Sequence, residues 1–226
     1  MGRVIKFLLI VVPVFIGSIE TGFSQGDDDN AYLEVARTRA GKIVDNLGVK
    51  DASEADRLQA LIANQYVKLN AIHTERDQQK AKLEARYKDR EEKDERHEAR
   101  LEAAVSKKVR AQHDRFLKDL RMETDSTTVD RIKDGMTYNV VPITYQGYVE
   151  MLPTLTSTQK QHIYDLLVEA REIAMDKGSS EEKHAVFGKY KGKINNYLSA
   201  EGVETKEARK AWEAKLKARN KNGDKK

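Results

Sequence analysis

The sequence predicts an all-α protein, and three observations carry that expectation. Only three prolines occur in 226 residues, at positions 13, 142 and 153. Neither glycine nor proline interrupts the stretch between Gly48 and Gly135. Apolar residues along most of the chain return at intervals of three and four, the period of a helix that buries one face. The expected architecture is a long antiparallel helical hairpin packed on a C-terminal helical unit, with one short extended aromatic segment.

Residues 1–25 have the layout of a cleavable export signal. A short cationic start, Met1–Lys6, precedes the apolar run Phe7–Ile19, and small residues near Ser24 suit a signal peptidase. The run falls short of the roughly 20 apolar residues that a membrane span needs. Cleavage is expected near Gln25, giving a periplasmic or secreted chain with no membrane span after processing. An uncleaved N-terminal anchor is the rival reading; Pro13 and Gly17 break its run. The chain has no cysteine, which excludes lipid acylation of an exported thiol, disulfides, thiolate metal sites and a thiol nucleophile.

Residues 26–203 are expected to form one helical domain. The acidic Gly26–Asn30 reads as a loop. Leu33, Ala36, Ala40, Ile43, Val44 and Leu47 then mark a first helix, with Gly48 as its C-cap. Asp51 or Ser53 caps a second, whose buried stripe runs through Leu58, Ile62, Gln65, Tyr66, Leu69 and Ile72. The stripe fades into the almost wholly charged Lys88–Arg100 and returns at Leu101, Val105, Phe116, Leu117 and Leu120. A hairpin over about 54–121, turning near 88–96, fits this pattern; one unbroken helix about 100 Å long is the alternative.

The aromatic and C-terminal unit spans about 129–203. Met136–Val149 is aromatic and β-branched, and reads as a short extended stretch followed by a helix over about 144–151. Thr156 with Gln159 forms a capping box for a helix through Ile163, Leu167 and Ala170. Gly178 closes it, and another helix follows through Phe187, Tyr190, Ile194 and Leu198. The basic tail, 204–226, is helical or frayed.

Charge narrows the function classes. The net charge of +4 is a small excess of 41 basic over 37 acidic residues. Opposite charges interleave at spacings that pair along a helix, so no clustered basic face is expected and no nucleic-acid partner. No nucleophile elbow, phosphate-binding loop, dinucleotide fingerprint or zinc-binding histidine motif occurs. The histidines at 73, 97, 113, 162 and 184 lie far apart, so neither a metal nor any other cofactor is expected.

The richest chemical signal is aromatic. Tyr138, Tyr145 and Tyr148, and later Tyr190 and Tyr197, interleave with amides and lysines. Tyrosine faces stack on sugar rings while amide and ammonium groups reach hydroxyls. The candidate ligand-binding residues are therefore Asp134, Tyr138, Tyr145, Tyr148, Glu150, His184, Lys189, Lys191 and Asn195. The competing reading makes these tyrosines core residues with a hydroxyl at the surface, as the helical spacing of Tyr145 and Tyr148 allows.

Several segments together carry a family resemblance. Lys133-Asp-Gly-Met-Thr-Tyr138, Val141-Pro-Ile-Thr-Tyr145, Leu155-Thr-x-x-Gln159, Ala170–Asp176, Gly178–His184 and Phe187–Leu198 resemble the secreted Bacteroidota family called domain of unknown function 3826. The resemblance covers most of the mature chain and is weakest across 75–115. It implies sugar binding in the setting of polysaccharide utilisation, and transfers no catalytic residues. Where this chain has Met122–Val129, the family looks more like a second Leu-Thr-x-x-Gln segment, which leaves the functional weight on the later stretch.

The leading expectation is non-catalytic binding of an oligosaccharide. Leu155-Thr-x-x-Gln159 also looks like the motif of small Spy-type periplasmic chaperones, so a helical chaperone or stress protein is the second reading. A carbohydrate-active enzyme, with carboxylates such as Asp134 or Glu150 in acid and base roles, is the third.

Overall fold

The structure is a computed structural model that describes residues 25–87 and 95–223. The proposed signal segment and most of the hairpin turn lie outside the described residues. Among the described residues eight helices follow one another: α1 Gln25–Leu47, α2 Ala52–Tyr87, α3 Glu95–Glu123, α4 Ser126–Met136, α5 Val140–Met151, α6 Ser157–Ala174, α7 Ser180–Ala200 and α8 Thr205–Gly223. Among the described residues there is no strand. No described helix is long and apolar enough to cross a membrane.

α2 and α3 form the antiparallel hairpin. Arg57 pairs with Glu123 at 2.7 Å, Gln112 donates to Gln65 at 2.7 Å, and Lys108 pairs with Glu75 at 2.6 Å. Partner numbers rise on one helix as they fall on the other, which fixes the antiparallel direction. Asp51 caps α2, its Oδ1 accepting from the Ser53 N–H at 2.8 Å. Gly48 supplies the positive φ, +70°, that ends α1. α1 begins at Gln25, so Gly26–Asn30 is helical and not the expected loop.

Two apolar cores result. The first gathers Ala36, Ala40, Leu58, Ile62, Phe116, Leu120, Ile132 and Met136 from α1 to α4, together with Met175. The second gathers Val141, Tyr148, Ile163, Leu167, Phe187, Ile194 and Leu198 from α5 to α7. Shortening a fully buried leucine or isoleucine such as Leu58 or Ile163 to alanine costs about 2–5 kcal/mol.

The aromatic segment is not extended, which corrects the expectation. α4 ends at Met136, the chain turns a corner through Tyr138 (φ +59°) and Asn139 (φ +54°), and α5 starts at Val140. The corner is held by Asn139 N–H donating to the Asp134 carbonyl at 2.7 Å and by the Thr137 hydroxyl donating to the Lys133 carbonyl at 2.9 Å. Pro142 falls in the first turn of α5, where no N–H is needed, so it starts a helix here instead of stopping one. A left-handed tyrosine costs about 1–2 kcal/mol, so the surrounding contacts hold Tyr138 in a conformation it would not choose alone.

Candidate functional site

Between the two cores lies a layer of charge. Arg171 on α6 is 2% exposed. It donates to Asp130 at 2.7 Å and to Asp134 at 2.9 Å, with Glu172 3.2 Å away. Lys133 donates to Glu172 at 2.9 Å. Burial would raise the Asp130 carboxyl, but Lys133 and Arg171 together hold it below its ordinary value. Burial does raise Asp134, against the opposing pull of Arg171.

The layer continues to α3. His113 Nδ1 lies 2.7 Å from Asp176 Oδ2, and that hydrogen bond raises the His113 pKa against the effect of burial. His73 on α2 donates from Nε2 to the Asp176 carbonyl at 2.8 Å, since a carbonyl can only accept.

Beside this layer opens a cleft of about 880 Å³, within the roughly 300–1,000 Å³ range of ligand sites. Its aromatic walls are Tyr32 of α1, Tyr66 of α2 and Tyr138 of the corner. Asn46, Asn70 and Asn139 add amides. Its charged lining is Arg39, Lys42, Arg131, Lys177 and Lys183 against a single carboxylate, Asp134. Two glycines allow the walls to meet: a Cβ on Gly135 would stand 2.9 Å from Ile43 Cγ2, and one on Gly178 would stand 2.9 Å from His73 Cγ.

Lys183 is the most buried of these cations, at 6% exposure. Its ammonium donates to the Met136 carbonyl at 3.0 Å and stands 5.5 Å from the Tyr66 ring centre and 6.0 Å from that of Tyr138. Burial, helped by the like charge of Arg39, pushes its pKa down to about 8. Burial also pushes the Tyr66 phenol well above its ordinary value, so it stays a neutral hydroxyl.

The structure divides the residues expected from sequence. Asp134 and Tyr138 line the cleft, and His184 stacks on Tyr138 with ring centres 5.4 Å apart. Asp134 is engaged with Arg171. The others do not line it. Tyr148 belongs to the second core and donates to Asn195 at 2.9 Å. Tyr145 meets Tyr164 edge-on. Glu150 accepts from Gln146 at 3.0 Å and from the Trp212 indole at 3.4 Å. Lys189 and Lys191 are exposed on α7.

Sequence reasoning missed Tyr32, Arg39, Tyr66, Lys177 and Lys183. One signal was available. Lys183 precedes Phe187, Tyr190 and Ile194 at helical spacing, so it is a lysine on the apolar stripe of α7. Arg171 sits four residues after Leu167 on α6 in the same way.

No curated protein matches the chain. A family profile does, that of proteins of unknown function named DUF3826, and it covers residues 33–218, which include every lining residue of the cleft except Tyr32. The chain therefore belongs to the DUF3826 family.

Proposed function

We propose that this protein binds an oligosaccharide without transforming it, in the cleft between the two cores, after export to the periplasm or cell exterior. The observation that carries the reading is the cleft itself: a ligand-sized opening flanked by three tyrosines and three asparagines. Tyr138 is 49% exposed although its backbone is held at φ +59°. An aromatic face kept open at a conformational cost suits a stacking platform, because strain of this kind concentrates at functional positions.

Calorimetry against a panel of oligosaccharides tests the proposal. One class of sugar is expected to bind, and Tyr138→Ala is expected to weaken it about fivefold to tenfold, the range of a lost ring contact of about 1 kcal/mol. Tyr148→Phe, in the second core, is expected to leave the affinity alone. Sugars that elicit no heat, or an affinity indifferent to Tyr138→Ala, would remove this reading. Incubated sugars are expected to keep their masses; new reducing ends would make the protein an enzyme instead. The mass of the chain recovered from a periplasmic fraction tests processing near Gln25.

A further inference from the structure

We propose that the cleft selects an acidic glycan, one carrying a carboxylate or sulfate group, with the anionic group seated on Lys183 and the rim cations Arg39 and Lys177. The inference rests on the glycan reading above and specifies its ligand.

The argument begins with charge compensation. Removing an ammonium from water without a counter-charge is unfavourable, and buried cations are ordinarily paired. Arg171 obeys that rule, with three carboxylates around it. Lys183 does not. Among the described residues no carboxylate lies within 4.0 Å of Lys183, nor of Arg39, Lys42 or Lys177. Arg131 is engaged with the Asn46 and Leu47 carbonyls at the end of α1.

The imbalance is local. The whole chain is close to neutral, and its acids elsewhere form many pairs. Asp134, the one carboxylate of the lining, is neutralised by Arg171. Asp176 acts on Lys183 only at longer range and is bonded to His113. The cleft is thus a concave surface whose positive charges have carbonyl and aromatic partners but, among the described residues, no carboxylate within 4.0 Å of Lys183, Arg39, Lys42 or Lys177.

Gly178, Ser179 and Ser180 line the cleft where the 21-residue α7 begins; that helix end is closed by the Ser179–Glu182 capping box and carries Glu181 and Glu182 in its first turn, so the positive charge of the cleft comes from its side chains. A sugar ring against Tyr138 with an acidic substituent directed at Lys183 would use both kinds of wall at once. A charge-assisted hydrogen bond to a desolvated ammonium discriminates strongly against a neutral analogue.

The test compares an oligogalacturonate, its methyl ester, a neutral galacto-oligosaccharide, a sulfated disaccharide and citrate, by calorimetry on the mature chain. The oligogalacturonate or the sulfated sugar is expected to bind about tenfold or more tighter than the ester and the neutral sugar. Added salt is expected to erode that preference. Lys183→Met is expected to abolish it, and Lys183→Arg to retain part of it. Arg39→Gln and Lys177→Gln, on more accessible positions where folding is not at stake, are each expected to reduce acidic affinity severalfold. Equal affinity for the acid and its ester would overturn the charge assignment while leaving glycan binding intact. No binding by any sugar would overturn the glycan reading, and with it this one. Citrate matching the oligogalacturonate would show a site for small anions and overturn both as stated.

Discussion

Arg171 and Lys183 are both long basic side chains on the apolar stripe of a helix, both almost wholly buried, and they behave in opposite ways. Arg171 is enclosed by Asp130, Asp134 and Glu172, and its charge joins α4 to α6. Lys183 has a carbonyl, two tyrosine faces and an open cleft. A buried charge with its partners built in is part of the fold. A buried charge without them is a demand on something outside the chain.

The largest expected effect tests the first half of that contrast. Arg171→Met leaves the half-buried Asp134 without its guanidinium partner and is expected to destabilise the protein by about 3–5 kcal/mol in denaturant unfolding. A loss below about 1 kcal/mol would mean that the charge layer does not hold the two cores together. Lys183→Met tests the second half. Holding an ammonium at a pKa of about 8, against 10.5 in water, costs the fold about 3 kcal/mol at neutral pH. The hydrogen bond to Met136 that the variant loses is worth about 1 kcal/mol. The variant is therefore expected to melt no lower than the parent, and a loss like that of Arg171→Met would make Lys183 a structural residue.

The pH dependence sharpens the comparison further. Between about pH 8 and 10.5 the unfolded chain binds the Lys183 proton and the native chain does not, so stability is expected to rise with pH across that window. Lys183→Met should flatten the rise. His113 has the opposite sign. Its pKa is raised by Asp176, with Glu172 and Asp114 contributing, so its stabilisation is complete below its ordinary 6.5 and is lost as pH climbs through the raised value. His113→Gln should remove that loss, measured as melting temperature against pH. The smallest effect belongs to the second core: Tyr148→Phe forfeits one hydrogen bond to Asn195 and is expected to cost about 1 kcal/mol.

Much of the fold was legible because it is written locally. The stripe of Leu58, Ile62, Tyr66 and Leu69 declares α2. The Thr156–Gln159 box appears as expected, with the Thr156 hydroxyl accepting at 3.2 Å and the Gln159 side chain at 3.0 Å. The corner at Tyr138 was misread because a β-branched run containing proline has two outcomes, extended chain or a helix started by proline. Tertiary contact chose the second.

The site was legible only in part. Tyr138 and Asp134 were found by their neighbours in sequence, and Tyr145 and Tyr148 were grouped with them for the same reason, yet packing sends the first pair to the cleft and the second to the core of α5 to α7. Tyr32, Arg39 and Tyr66 come from helices whose stripes look ordinary. Their convergence is a tertiary fact. Lys183 could have been picked out as a charge in an apolar register, although register alone does not reveal whether a partner is waiting for it.

The position of the cleft also bears on how the molecule comes apart. Its walls are drawn from α1, α2 and α4 on one side and from α5 and the start of α7 on the other, so an occupant would touch helices that carry each of the two cores. Such a ligand at a hundred times its dissociation constant adds about 2.7 kcal/mol to the native state. Because it bridges the halves, slowed amide hydrogen exchange should reach α1 and α7 together. Two cores able to open separately when empty would then open as one cooperative unit.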